Sequence, residues 1–367
     1  MTLAARLGGS RSPAVGGRRL TRLAAVGLAA VTLAAVPACT AAPIPPPVTV
    51  TPAIESVRAN PPEPQIPLVW PLTGVVTDVV AQRPAIAVKV ENTSAARPQS
   101  GLEDADVVWE TIVEFQVSRF VAVFHSRMPE AVGPIRSVRP MDPLIIAPLH
   151  GMLAFSGGQS GIVALARDSG AQLLSHDAGA PGLARVSFRS APHNVYGTMQ
   201  TFLDQADASH SAPPAEQFVF ALRPLLASAV LSGTPATSLN FRLSTASRPS
   251  WAWDAETARW LRSEGSSAAM SRDGGQLSAV NVVAITADHP NTRFRAQGGA
   301  AVPTYNLVGE GTVVVATAGR VITGVWRKTA QDAPLQLFLP DGSPLTLAPG
   351  NTWVELIPAG SGSLTVG

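Results

Sequence analysis

A single cysteine, Cys39, stands at the end of an apolar run near the amino terminus of this 367-residue chain. With no second cysteine, a disulfide within the chain is impossible, so any folded part must be held by burial and polar pairing alone. The position of Cys39 matters as much as its solitude. A basic region runs through Arg22, an apolar stretch follows from Leu23 to Val36, and Val36-Pro37-Ala38-Cys39 closes it. These are the three parts of a secretory signal. The apolar stretch is 14 residues long, whereas spanning a bilayer takes about 20.

Val36 and Ala38 before Cys39 resemble the lipobox of bacterial lipoproteins, with Pro37 as a departure. Residues 1–38 are therefore read as a cleaved signal peptide, and Cys39 as the acceptor of a lipid that anchors the chain to the outer face of a membrane. The alternatives are an uncleaved anchor helix, or later cleavage that leaves Cys39 a free thiol. Arg18-Arg19 leaves both the general secretory and the twin-arginine routes open. Five of the 27 basic residues precede Cys39 and no acidic residue does, so the processed chain carries 22 basic against 25 acidic side chains. The apparent pI of 9.1 thus belongs to the leader. Without a global basic field, nucleic acid is excluded as the expected partner.

Residues 39–67 read as a Pro-rich tether that holds the folded part away from the lipid. A mixed α/β domain is expected over 68–209. Its strands are read at Ala85–Val90, Asp106–Glu114, Arg119–His125 and Gly151–Ser156, the second and third forming a hairpin. Asp142-Pro143, Ser160 and Asn194 are read as helix starts. A Ser/Ala/Pro-rich stretch over 209–216 marks the expected boundary. From 216 to 367 short runs rich in Val, Leu and Trp alternate with Gly and Asp turns, suggesting a β-rich domain, a sandwich or an open barrel. The fold class expected is α+β.

No strong catalytic motif is present. Gly158-Gln159-Ser160-Gly161 lacks the final glycine of a nucleophile elbow. The six histidines show no metal-ligand spacing, so neither a metal nor a cofactor is expected. The informative segment is Gly133-Pro134-Ile135-Arg136-Ser137-Val138-Arg139-Pro140, where prolines fix the backbone around two arginines able to grip carboxylate or phosphate. Glu114 and Arg119 flank the nearby hairpin turn. Either Glu114 locks one of these arginines internally, or the group receives an anion. Gly157-Gly158 ahead of a helix could aim backbone N–H groups at an anion, or could be a plain turn. His193 could serve as an acid–base group or simply bond nearby backbone.

At this point a family resemblance emerges. Arg97-Pro98-Gln99-Ser100-Gly101-Leu102, Ala105-Asp106-Val107-Val108 with Glu110 and Glu114, Ser118-Arg119-Phe120, the segment 133–140, Gly157-Gly158 and Ala191-Pro192-His193-Asn194 resemble the YerB-like family of bacterial lipoproteins. Trp253-Asp254-Ala255-Glu256, Gly324-Val325-Trp326-Arg327-Lys328 and Pro349-Gly350-Asn351-Thr352-Trp353 resemble that family's carboxy-terminal part. Phe115-Gln116 departs, standing where the family favours glycine. The resemblance implies a fold and an anchor but carries no established activity.

Function is therefore expected at the level of an envelope binding protein. Arg97, Glu114, Arg119, Arg136, Ser137, Arg139, His193 and Asn194 would form one polar cleft for an anionic glycan or a lipid-linked phosphate. The rival is a phosphoryl- or acyl-transfer or hydrolytic enzyme, with His193 or Glu114 as acid–base group and Ser137 or Ser160 as nucleophile. A third reading is a scaffold that meets a protein partner through Trp251, Trp253 or Trp326. The sequence sets no oligomeric state.

Overall fold

The computed structural model describes residues 66–367. The expected signal peptide, Cys39 and the part of the expected tether before Ile66 lie outside the described residues. Five strands lead the first segment: β1 (Ile86–Glu91), β2 (Val107–Ile112), β3 (Ser118–Phe124), β4 (Met152–Phe155) and β5 (Gln172–Ser175). Four short α-helices accompany them: α1 (Asp142–Ile146), α2 (Ser160–Asp168), α3 (Met199–Leu203) and α4 (Ser228–Ser232). The main later strands are β6 (Ser238–Arg242), β7 (Pro249–Asp254), β8 (Arg259–Glu264), β9 (Asn281–Ala287), β10 (Gly309–Thr317), β11 (Arg320–Lys328), β12 (Gln336–Phe338), β13 (Thr352–Pro358) and β14 (Ser363–Val366). The fold is β-rich α+β.

One large sheet runs in the order β12-β11-β10-β9-β13-β2-β3-β1-β4-β5. The strand that joins its halves is β13. It pairs in parallel with β9 on one side and with β2 on the other, so Thr352 is in register with both Asn281 and Val107. All seven residues of β13 are buried, as expected for a parallel strand covered on both faces. A second sheet contains β8-β7-β6-β14. It meets the first across Trp251, Trp260 and Trp353, each at most 1% exposed. The carboxy-terminal strands thus build no sandwich or barrel of their own. Those that are apolar on both faces need cover on both sides, and they find it by extending the sheet begun by β1–β3.

Other local expectations need correction. Ser160 is the first residue of α2, whose N-cap position is Gln159. The residues after Asn194 form a strand, Val195–Thr198, paired with Leu183–Arg185 and Ala131–Val132. Phe202 packs closely over Gly197, so the apolar residues expected on one helix face serve a strand and then the short α3. Phe218–Phe220 contributes only an isolated bridge to Leu347.

Candidate functional site

β1 and β4 run parallel through Val88 and Ala154, and then they part. The gap is filled by the arginine-bearing segment. The amide of Arg136 donates to the Lys89 carbonyl at 2.8 Å, and the Arg136 carbonyl accepts from the Ser156 amide at 3.0 Å. Val138 donates to the Gly157 carbonyl at 3.0 Å, and Ile135 to the Val195 carbonyl at 2.7 Å. The segment 133–140, the Gly157-Gly158 turn and the strand after His193 therefore meet at the carboxyl ends of β1 and β4. In open α/β sheets this is the end at which ligands bind.

Two linked ion clusters occupy this end. In the first, the 5%-exposed Glu114 accepts from Nε of Arg139 at 2.6 Å and is also bound by Nη2 of that residue. Nη2 of Arg119 donates to Glu114 at 3.3 Å, while Nη1 donates to the Ser137 carbonyl at 3.0 Å. Asp142 accepts from the Arg139 amide at 2.7 Å and from Nζ of Lys89 at 2.7 Å. Lys89 also donates to the Thr111 hydroxyl at 3.1 Å. Burial alone would raise the Glu114 pKa, but the hydrogen bond from Arg139 and the charge of Arg119 hold it down at about 2. Burial brings Lys89 down to about 8, against the opposing pull of Asp142.

The second cluster is centred on Glu91, at the last position of β1. His193 Nδ1 lies 2.9 Å from both Glu91 oxygens, Thr93 donates its hydroxyl to Oε1 at 2.8 Å, and Arg136 Nε lies 3.2 Å from Oε2. Glu91 is buried, whereas the side chains of Arg136 and His193 are 23% and 27% exposed. These two side chains are the solvent-facing members of the Glu91 cluster.

The expected group of eight is therefore only partly assembled. Glu114, Arg119 and Arg139 converge as a locked triad, and Arg136 and His193 share Glu91. Arg97 turns to Glu264, 3.6 Å away. Asn194 pins a hairpin, accepting from Arg185 at 2.6 Å and donating to the Val186 carbonyl at 3.3 Å. Ser137 contributes its carbonyl. Neither Ser137 nor Ser160 places its hydroxyl in hydrogen-bond contact with His193. A Cβ at Gly157 would meet the Asp177 carboxylate and one at Gly158 would meet Val138 and Val163, so both positions need glycine for space, and Asp177 sets a negative charge beside the turn. Trp251 and Trp326 are at most 2% exposed and form no external strip.

The sequence reading missed Glu91, Lys89 and a third network altogether. Arg262 of β8 is fully buried, stacked over the Phe120, Trp251 and Trp353 rings. Its Nη2 donates to Glu110 at 2.5 Å and its Nη1 to Glu264 at 2.6 Å. A usable signal did exist. Glu110 and Glu355 interrupt otherwise apolar strands, and a carboxylate in a buried strand must find a partner.

Among the described residues, no helix is long and apolar enough to cross a membrane, and no group of three or more His, Asp and Glu side chains could hold a metal. Residues 72–212 match the family described as "Protein of unknown function (DUF3048) N-terminal domain", and residues 239–354 match its C-terminal domain. "Putative lipoprotein YerB" of Bacillus subtilis (strain 168) is 29% identical over 301 residues, covering 78% of this chain and 86% of its own. The crystal structure of YerB protein from Bacillus subtilis shares the fold, with a TM-score of 0.69 at 24% identity, over 81% of this chain and 99% of that one. With both family domains matched in order across most of its described length, the chain belongs to the YerB-like family.

Proposed function

We propose that this protein is a lipid-anchored lipoprotein of the extracytoplasmic face, tethered through Cys39, and that the end of the sheet around Arg136 and His193 binds an anionic envelope component. One observation carries the binding part. Lys89, Arg119 and Arg139 face only two carboxylates, those of Glu114 and Asp142, in one bonded cluster, while Arg136 shares Glu91 with His193 in the other. The surplus positive charge belongs to the first cluster, within electrostatic reach of Arg136, whose side chain is 23% exposed. The Arg119 pKa is pushed down, first by burial and then by the Arg139 charge, which is how a site short of negative charge behaves. A phosphate or carboxylate group would complete it, with Arg136 supplying a planar donor fork.

Calorimetry with teichoic acid fragments, lipid-linked phosphate analogues and acidic glycans tests this. Binding should weaken with salt and fall at least tenfold in Arg136→Gln, about 1.4 kcal/mol. No heat from any of these ligands would sink the reading.

A second reading rests on the Glu91–His193 pair, which orients an imidazole as a general acid–base group requires. No serine hydroxyl contacts that imidazole, which favours binding over covalent catalysis. Turnover of any of the same ligands, abolished in His193→Gln, would reverse the preference.

A further inference from the structure

The amino ends of the central strands carry a feature of the opposite character. Between Glu216 and Arg242 the only charged residue is Arg223. Within this stretch Leu222, Leu225, Leu226 and Leu231 are 69%, 74%, 47% and 63% exposed, the first in a bend and the others on a 3-10 turn (Pro224–Leu226) and the nearby α4. Four leucines so exposed within ten residues go beyond the singly scattered apolar residues of ordinary surfaces.

This patch lies where the chain enters the folded part. The described residues begin at Ile66, and Val69 and Val76 bridge to make a small hairpin. Gly74 of that hairpin packs directly on Phe220, and the Thr73 carbonyl accepts from the Gly350 amide at 2.8 Å. Val75 and Val76 are themselves exposed and extend the apolar surface. Gly350 precedes β13, and β13 runs parallel to β2, as does β1 through their shared neighbour β3. The leucine patch and the incoming chain thus sit at the amino ends of these strands. Glu91, Arg136 and His193 sit at the carboxyl ends. The six residues of β1 separate the two by about 20 Å.

We propose that this apolar end rests on the lipid surface, its leucines in the headgroup boundary and Arg223 on anionic headgroups, so that the Arg136–His193 end faces away from the membrane. The inference rests on the anchoring reading, which puts a lipid at Cys39, with only 26 residues between it and the first described residue, Ile66. Tethering at that range gives the patch a high local concentration of lipid, and weak apolar contacts then suffice. This placement replaces the stand-off expected from the Pro-rich composition of residues 39–67, and probes at residues 225 and 231 decide between the two.

The lone cysteine makes the test clean. With Cys39 lipidated, one added cysteine is the only free thiol. The full lipidated chain would be placed on phosphatidylcholine vesicles with and without phosphatidylglycerol. An environment-sensitive fluorophore would be attached at Leu225→Cys, at Leu231→Cys or, at the opposite end, at Ser94→Cys. Brominated lipids should quench the first two probes several-fold more than the third, and phosphatidylglycerol should strengthen this unless Arg223→Glu is present. Equal quenching at all three sites, or none at residues 225 and 231 in protein that floats with the vesicles, would overturn the orientation while leaving the anchor intact. A blue shift at those sites that follows protein concentration and ignores brominated lipid would assign the patch to a second copy and also overturn it. Failure of the chain to float would instead overturn the anchoring reading.

Discussion

Glu110 and Glu355 occupy the same register position on the parallel neighbours β2 and β13, and both carboxyl groups are fully buried. Two like charges cannot be held side by side there. Burial, reinforced by the charge of Glu110, pushes the Glu355 pKa well above the carboxylate range. Burial also acts to raise that of Glu110, but Arg262 outweighs it and holds Glu110 ionised. The pair therefore consists of one acid and one carboxylate, and Trp251 donates to the acid at 2.9 Å. Glu355→Gln preserves a neutral group that can still accept from Trp251, so it should cost less than about 1 kcal/mol. Glu110→Gln leaves Arg262 short of a buried counter-charge and should cost about 3–5 kcal/mol. Urea denaturation of both variants measures the difference. Equal losses would refute the assignment of charge.

Glu114 makes the stability of the arginine-bearing end dependent on pH. Folding lowers its pKa from the ordinary 4.5 to about 2, so the folded state favours the ionised form. The stabilisation is complete above pH 4.5 and is lost as the pH falls towards 2. It is on the order of 2 kcal/mol, allowing for solvent screening. Between pH 5 and pH 2.5 the wild-type protein should lose that much more stability than Glu114→Gln, other carboxylates being common to both. Parallel pH profiles for the two proteins would show that Glu114 is not held by Arg119 and Arg139.

The two lysines of the chain, Lys89 and Lys328, are both buried, at 0% and 3% exposure. Burial lowers each to about 8, partly opposed by Asp142 and Asp332 respectively. Amines of that pKa would react readily at pH 8.5 if reagent could reach them. In the folded protein neither should be acylated, whereas both should be after denaturation. Peptide mass spectrometry reads each site separately. Rapid acylation of Lys89 in the folded state would mean that its contact with Asp142 opens locally.

What the sequence revealed, and what it hid, follows from how far apart the interacting residues lie. The hairpin of β2 and β3 was legible because alternation and a short link are local signals. So was the segment 133–140, whose prolines and arginines are contiguous. The role of β13 was not legible, because an apolar run does not specify which strands will flank it, and its partners β2 and β9 come from both segments. β8 was hidden for a different reason. Arg-Trp-Leu-Arg-Ser-Glu reads as a charged surface stretch until Glu110 and Glu264 are placed around Arg262. Within the site, the arginines were visible but Glu91 was not, since a glutamate at the end of an apolar run looks like the start of a turn.

The departure at Phe115-Gln116 supplies the last prediction. Both residues adopt left-handed backbone, each with φ 62°, a conformation costing roughly 1–2 kcal/mol for a residue with a Cβ. The turn keeps the shape that glycine would favour, because Val113 and Val117 are bonded across it and the Gln116 carbonyl accepts from Ser244 at 2.5 Å. Those contacts involve backbone at positions 113, 116 and 117, so glycine at 115 and 116 would retain them. Glycine also adds freedom to the unfolded chain, which offsets roughly 0.5–1 kcal/mol of the relief at each position. The double variant Phe115→Gly with Gln116→Gly should therefore gain about 1–2 kcal/mol, seen as a higher urea midpoint at unchanged slope. A lower midpoint would mean that the Phe115 ring, 63% exposed, contributes more packing than its exposure suggests. The same substitutions leave Glu114 in place, so ligand binding at Arg136 should not change, which separates the turn's conformational cost from the chemistry beside it.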